Sequence, residues 1–254
     1  MSALICGSMA YDNIMVFPDR FKEHILPEKV HILNVCFLVP QMRKEFGGCA
    51  GNIAYNLHLL GGDGLPMATV GQDFNPYSEW MNACGIDQKY IKSINNEYTA
   101  QAFITTDLDD NQITAFHPGS MNFAQENKIP VNEGISIVLI SPDGKDGMVQ
   151  HAQQCVDAGI PFMFDPGQGL PMFDGKTIEI PAVKASDVKD PTGCGDAYRG
   201  GLIYGLMNNL GWEVTGRIAA LMGSIKVAHN GTQNHKYSLT EFKDQYKKEF
   251  GQSF

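Results

Sequence analysis

Short apolar runs alternate along this chain with longer amphipathic ones. Ala3 to Gly7 is an apolar stretch closing on a glycine, and Leu65 to Gly71, Ile135 to Ile140 and Pro161 to Asp165 repeat the pattern. Apolar runs of this length with little alternation read as strands covered on both faces. Between them, Gly51 to Leu60, Tyr77 to Cys84 and Met148 to Ala158 predict helices. The first is closed by Gly61-Gly62 and the second by Gly85, the residue type that best ends a helix. Ala100 to Thr106 and Gln112 to Phe116 alternate in polarity around Leu108-Asp-Asp-Asn111, which predicts a hairpin. His31 to Val39, rich in β-branched and apolar residues, predicts a further extended segment. Strands alternating with helices imply an α/β fold with one mostly parallel sheet and helices on both faces. The whole of 1–254 reads as one domain, with a small β lid contributed by about 14–40 and 97–117.

One run bears directly on chemistry: Asp190-Pro-Thr-Gly-Cys-Gly-Asp-Ala-Tyr-Arg-Gly-Gly201. It reads as a tight turn opening a helix. Gly193, Cys194 and Gly195 can aim backbone N–H groups at one point, and the helix N-terminus adds its positive end there, which makes an anion hole. Asp196 follows at once. A carboxylate beside an anion hole can take a proton from a hydroxyl while a phosphoryl group moves to it; an N-cap with a dipole-favoured carboxylate is the plainer alternative. Gly201 and Gly205, four apart, predict close packing against a neighbouring helix. Asp12 suits either a diol, which a carboxylate can bind bidentately, or an N-cap. Gly47-Gly48 with Asn52 suits either a close backbone approach to a ligand or a simple helix start. Arg20 and Arg199 are candidate phosphate contacts; Arg20 reads better as a surface residue. Gly169 to Thr177 imitates a phosphate-binding loop, but it is one residue too long, contains Pro171 and is followed by Ile178-Glu-Ile180, which reads as strand where that loop needs a helix.

Composition narrows the partners. A net charge of -9 leaves no basic stripe for nucleic acid. The one basic cluster, Lys243 to Lys248, reads as the solvated face of a terminal helix. The six cysteines have no C-x-x-C or metal-ligand spacing, and the seven histidines show no ligand spacing either, so no metal site is expected from protein side chains. Scattered thiols, a first apolar stretch without a basic flank, and no run of membrane-spanning length imply a cytoplasmic protein with no membrane partner.

The Asp190–Gly201 run resembles the C-terminal signature of the ribokinase-like (PfkB) carbohydrate kinases, D-T-x-G-A-G-D, with Pro191 and Cys194 as mild departures. Gly47-Gly48-Cys-Ala-Gly-Asn52 resembles the family's G-G-x-x-x-N sugar-binding turn, and Cys6-Gly-Ser-Met-Ala-Tyr-Asp12 its first strand and substrate aspartate. Within the family, Phe17-Pro-Asp-Arg-Phe21, Leu26-Pro27 and Phe116-His-Pro-Gly119 are similar to runs in bacterial adenosine kinases. The resemblance implies ATP-dependent transfer to the 5′-hydroxyl of adenosine. Asp196 would be the base, with Gly193, Cys194 and Gly195 at the transferring group and Thr192, Gly193 and Gly195 at ATP. Asp12, Gly48 and Asn52 would hold the ribose, and Phe103 and Phe116 would enclose the purine. Mg2+ is implied as a cofactor, a monovalent cation is possible, and a homodimer could form through the lid. A sugar kinase acting on ribose or a ketose, and a non-catalytic nucleoside-binding protein, are the rival expectations.

One stretch departs from the family. Between Gly169 and Asp190 the chain has room for a loop and one strand, expected at Ile178 to Val183. Relatives there carry further β-α units, an N-x-x-E motif and a glycine-containing turn beside the nucleotide. The expectation is an adenosine crevice and anion hole with one wall of the nucleotide site missing.

Overall fold

The computed structural model describes residues 2–25, 34–131, 133–165, 167 and 183–254. In chain order the elements are β1 (Ser2–Cys6), β2 (Ala10–Val16), α1 (Phe21–His24), β3 (Gln41–Gly47), α2 (Cys49–Leu59), β4 (Asp63–Val70), α3 (Asn75–Ala83), β5 (Tyr90–Ser93), β6 (Ala100–Thr106), β7 (Gln112–His117), β8 (Ile135–Ile140), α4 (Lys145–Ala158), β9 (Phe162–Phe164), α5 (Cys194–Met207), α6 (Trp212–Val227) and α7 (Leu239–Phe250), with a 3-10 segment at Gly119–Glu126.

The central sheet runs β5-β4-β1-β8-β9, and every neighbouring pair is parallel. Its strands are apolar almost throughout because both faces are covered. Ala3 and Ile5 of β1 point to one side, where Ala50, Ile53 and Leu57 of α2 and Tyr77 of α3 meet them. Leu4 and Cys6 point to the other, against Cys155 and the partly buried Met148 of α4. A third apolar cluster joins Ala197 of α5, Leu221 and Met222 of α6, and Phe242 and Tyr246 of α7. No helix among the described residues is long and apolar enough to cross a membrane.

A second sheet, β3-β2-β6-β7, stands beside the first. Its middle pair β2–β6 is parallel, and the outer pairs β2–β3 and β6–β7 are antiparallel, the latter being the expected hairpin. The segments feeding it differ from expectation. Its first strand starts at Ala10, three residues beyond β1, and the next is β3. Of the extended segment expected at His31 to Val39, residues 31–33 lie outside the described residues and 34–39 form no strand. The physical reason lies in where the apolar residues go. Phe37 packs on Phe17 and Phe21, with ring centroids 4.7 and 5.0 Å apart. The strand itself, Gln-Met-Arg-Lys-Glu-Phe-Gly, is a mostly exposed edge with a weak apolar pattern. The strand expected at Ile178 to Val183 also falls outside the described residues, except Val183, which packs on the α5–α7 cluster.

Helix α5 is wedged between α2 and α6. A Cβ on Gly201 would stand 2.6 Å from the Ala219 Cα, and one on Gly200 would stand 2.8 Å from the Asn56 Cβ. Of the two glycines whose spacing predicted close packing, Gly201 meets the backbone of α6 and Gly205 meets the Thr215 side chain of the same helix. Gly201→Ala should therefore destabilise the fold by about 1–3 kcal/mol through overpacking. A urea midpoint unchanged from the parent would show that α6 can move aside.

Candidate active site

The helix α5 begins at a left-handed Gly193, φ 79°, and its first turn stands at the carboxyl ends of the central strands, facing the second sheet. Asp190 shapes the turn before it. Its Oδ1 accepts from the Thr192 N–H at 2.9 Å, and its Oδ2 accepts from the Gly231 N–H at 2.9 Å and from Arg43 Nη2 at 3.0 Å. Burial pushes this carboxyl up, but the hydrogen bonds from Gly231 and Thr192 outweigh it and hold the pKa below the usual aspartate value. The Cys194 N–H, expected to face an anion, closes the turn onto the Pro191 carbonyl at 3.1 Å. The N–H groups of Gly193 and Gly195 have no acceptor among the described residues.

Asp196 is 8% exposed. Its Oδ2 accepts from Asn52 Nδ2 at 2.9 Å and its Oδ1 from Arg199 Nη1 at 3.1 Å. Burial raises its pKa against the opposing pull of Asn52 and Arg199. Arg199 also grips Asp165, at the end of β9, and so ties the α5 helix to the central sheet. Arg20 is remote from this. It pairs with Asp109 at 2.8 Å on the exposed turn of the β6–β7 hairpin.

Asn52 reaches Asp196 because α2 starts at Gly48, whose φ of 85° and close neighbours exclude a side chain: a Cβ there would lie 2.5 Å from the Ser8 carbonyl oxygen. The Asn52 amide is itself held by Gln233. Gln233 Nε2 donates to Asn52 Oδ1 at 2.9 Å and to the Tyr77 hydroxyl at 2.6 Å, while its Oε1 accepts from Trp80 Nε1 at 2.9 Å. One turn on, Asn56 Oδ1 meets His235 Nε2 at 2.8 Å. Gln233, Arg43 and Glu45 were not singled out from the sequence. Gln233 lies in a polar loop with no periodicity, and nothing local marks that the loop folds back onto α2.

Asp12 lies within β2, not in the turn after β1, because the chain re-enters a strand after only Gly7, Ser8 and Met9. It is paired with Glu45 across β3. Burial, then the negative charges of Asp196, Asp190 and Glu45, lift its pKa to about 6. The ladder decides which phenylalanine shares its face. Asp12 is opposite Ala102, and Ala102 is opposite Phe116, so Phe116 projects on the Asp12 side. Phe103, one residue beyond Ala102, projects on the reverse side, where it is 42% exposed. The structure therefore does not bring the two rings to one face.

Thr192 lines a cleft of about 160 Å³ between the second sheet and the turn, with Ile14, Arg43, Ile104 and Asp190. On the other side of the α5 N-terminus, Cys194, Gly195, Tyr198, Gly223 and Val227 line a mostly apolar cavity of about 490 Å³. Among the described residues, no three His, Cys, Asp or Glu side chains converge on a metal-sized point.

The pattern of the pfkB family carbohydrate kinases matches residues 8–171 and 165–238. A nucleoside kinase of Burkholderia thailandensis, solved in complex with inosine, is 42% identical, with a TM-score of 0.88 over 99% of this chain and 100% of that one. A nucleoside kinase of Methanocaldococcus jannaschii is 27% identical over 82% of this chain and 87% of its own length. That alignment extends over 266 residues, more than the 254 of this chain, so the relative carries residues that this chain lacks. The adenosine kinase of Sinorhizobium meliloti, 16% identical with a TM-score of 0.74 over 96% of this chain and 98% of that one, shares the fold.

The clustered carboxylates make stability depend on pH. A carboxyl with a raised pKa holds its proton more tightly folded than unfolded. Between the ordinary 3.8 and about 6, the folded chain therefore binds more protons, and stability contributed by Asp12 falls as pH rises through that window. Asp12→Asn should remove a difference on the order of 2 kcal/mol between the two ends of the window. The measure is the urea midpoint of parent minus variant at each pH, since Asp143, raised to about 7 by burial, contributes to both alike. A difference independent of pH would show that Asp12 ionises normally.

Proposed function

The chain belongs to the pfkB family of carbohydrate kinases and is an ATP-dependent kinase acting on a hydroxyl group, and we propose that its acceptor is the 5′-hydroxyl of a purine nucleoside such as adenosine. The observation that carries this reading is the placement of Asp196. It is buried at the N-terminus of α5, directly after the N–H groups of Gly193 and Gly195, and electrostatically coupled to Asp12 across the crevice.

In the proposed reaction Asp196 accepts the proton of the acceptor hydroxyl. The oxygen forms a bond to the γ-phosphorus, and the bond from that phosphorus to the β-bridging oxygen breaks, so ADP leaves. The raised pKa makes Asp196 a stronger base than a solvated aspartate. Asn52 and Arg199 fix its two oxygens without consuming both lone pairs of either. The Gly193 and Gly195 N–H groups meet the charge on the transferring group. Asp12 accepts hydrogen bonds from the 2′,3′-diol, which requires its carboxylate form. The backbone at Gly48 passes close to the sugar. Asn52 positions Asp196 and keeps one lone pair of Oδ1 for a ribose hydroxyl. Phe116 alone covers the base from the second sheet. The apolar cavity beside Cys194 and Gly195 suits the donor's adenine. Magnesium would neutralise the donor phosphates. Because no three His, Cys, Asp or Glu side chains converge among the described residues, it would be held mainly through phosphates and water.

The nucleoside is favoured over a free sugar because a nucleoside kinase is 42% identical over 99% of this chain, whereas ribokinases that cover 96–97% of it are 16% identical, and because Phe116 shares the face of Asp12. Adenosine, inosine and ribose offered in parallel with ATP and magnesium test this. The nucleosides should be phosphorylated faster, and faster ribose turnover would give the site to a sugar kinase. Binding of adenosine without any transfer would leave a nucleoside-binding protein. Asp196→Asn should keep adenosine affinity and cut turnover by about 10²–10⁴-fold; near-parent turnover removes the base assignment. Phe116→Ala should weaken adenosine by roughly 1–3 kcal/mol, whereas Phe103→Ala should leave its dissociation constant unchanged. Equal losses would contradict the face assigned by the ladder.

A further inference from the structure

The last turn of α6 carries a lysine with 0% exposure, Lys226. Lysine is almost never fully buried unless its charge is met. Its Nζ donates to the backbone carbonyl of Asp190 at 2.7 Å and to that of His229 at 3.2 Å. Neither direct partner is a carboxylate. Burial holds its pKa below the usual lysine value, against the pull of the nearby carboxylates of Asp190 and Glu45 and with Arg43 adding to the lowering.

The two carbonyls belong to the two loops on which the site depends. Asp190 opens the turn that ends in Gly193 and Gly195. The loop after His229 sends the Gly231 N–H to Asp190, lays Thr232 against Gly193 with its hydroxyl on the Phe46 carbonyl, and carries Gln233 to Asn52. Two carbonyl oxygens turned toward one point repel unless a hydrogen-bond donor or a cation lies between them. Here the chain itself supplies a group that is both, the Lys226 ammonium.

We propose that Lys226 is a positioning residue that serves as a built-in monovalent cation, its ammonium clamping the Asp190 and His229 carbonyls so that the 190–195 turn is set for a phosphoryl group without an ion from solution. The proposal rests on the phosphoryl-transfer reading only for its effect on turnover. A tethered ammonium has no dissociation equilibrium, so the parent should be indifferent to the monovalent cation in the buffer.

The test compares the parent, Lys226→Ala, which opens a space, and Lys226→Met, which keeps the volume without the charge. Each is measured in tetramethylammonium chloride and again with added potassium or methylammonium. The readouts are hydrogen exchange of the 192–195 amides, turnover with adenosine and ATP, and adenosine binding by calorimetry. The parent should not respond to the added cations. Both variants should lose about 10- to 100-fold in turnover, with adenosine affinity kept and exchange in the turn faster. The small cations should restore the alanine variant in part and the methionine variant not at all. Parent-like exchange in Lys226→Ala, absence of any restoration, or a parent whose rate rises with potassium overturns the proposal. If the variants do not fold, adenosine binding disappears with everything else and the parent's cation response decides. If the parent transfers phosphate to no acceptor, the functional reading falls and the exchange measurements still decide.

Discussion

Asp190 takes hydrogen bonds from three separate parts of the chain. Arg43 reaches it from the second sheet, Gly231 and Lys226 from the end of α6 and its following loop, and Thr192 from its own turn. Without a negative group at that point, Arg43 would keep only its longer contact to Glu45, 3.9 Å away, and the turn would lose the bond that aims Gly193. The second sheet, the α5 N-terminus and the loop after α6 therefore meet at one residue, and the bonds from Thr232 to the Phe46 carbonyl and from Asn234 to Glu45 join the same loop to the same sheet. Its depressed pKa is the expected signature of an anion held by several donors.

The neighbouring carboxylates lie in the opposite regime. Burial raises the proton affinity of both Asp12 and Asp196, and the charge of Asp196 raises that of Asp12 further. Such an arrangement costs stability in the free protein, and the cost falls where chemistry is proposed. One oxygen of Asp196 is held by Arg199, and the other by a chain of neutral side chains, Asn52, Gln233, Tyr77 and Trp80, each donating or accepting in a fixed sense. Because Gln233 donates to Asn52 Oδ1, the Asn52 nitrogen must face Asp196. The orientation of the amide follows from the network and needs no further constraint.

Much of the central sheet and its helices was legible in the chain. β8 and β6 coincide with their apolar or alternating runs, and α2 and α3 stop where glycine follows. The elements that escaped notice share a cause. β5 has four residues, β3 is an edge strand with one buried residue, and α6 is apolar nearly all round because α5 and α7 cover it, so none of them shows a clear period. The site was legible where a motif is local: Asp196, Gly193 and Gly195 follow one another in a turn-and-helix run. Arg43, Gln233 and Lys226 were not, because each joins the site through a contact with a residue far away in sequence.

The sequence by itself determined the α/β class, the glycine-governed N-termini of α2 and α5, and the residue types for proton transfer and anion binding, because these depend on neighbouring residues and on the conformations glycine allows. Only the tertiary structure decided which groups meet. The ladder sends Phe116 to the Asp12 face and Phe103 to the reverse, a consequence of the two-residue period of a strand once its register is set. The same is true of Cys194, whose N–H the turn consumes, and of Lys226, whose burial against two carbonyls no local pattern foretells. Register, long-range hydrogen bonding and the burial of charge are properties of the packed chain, and they settle which of the chemically able residues act together.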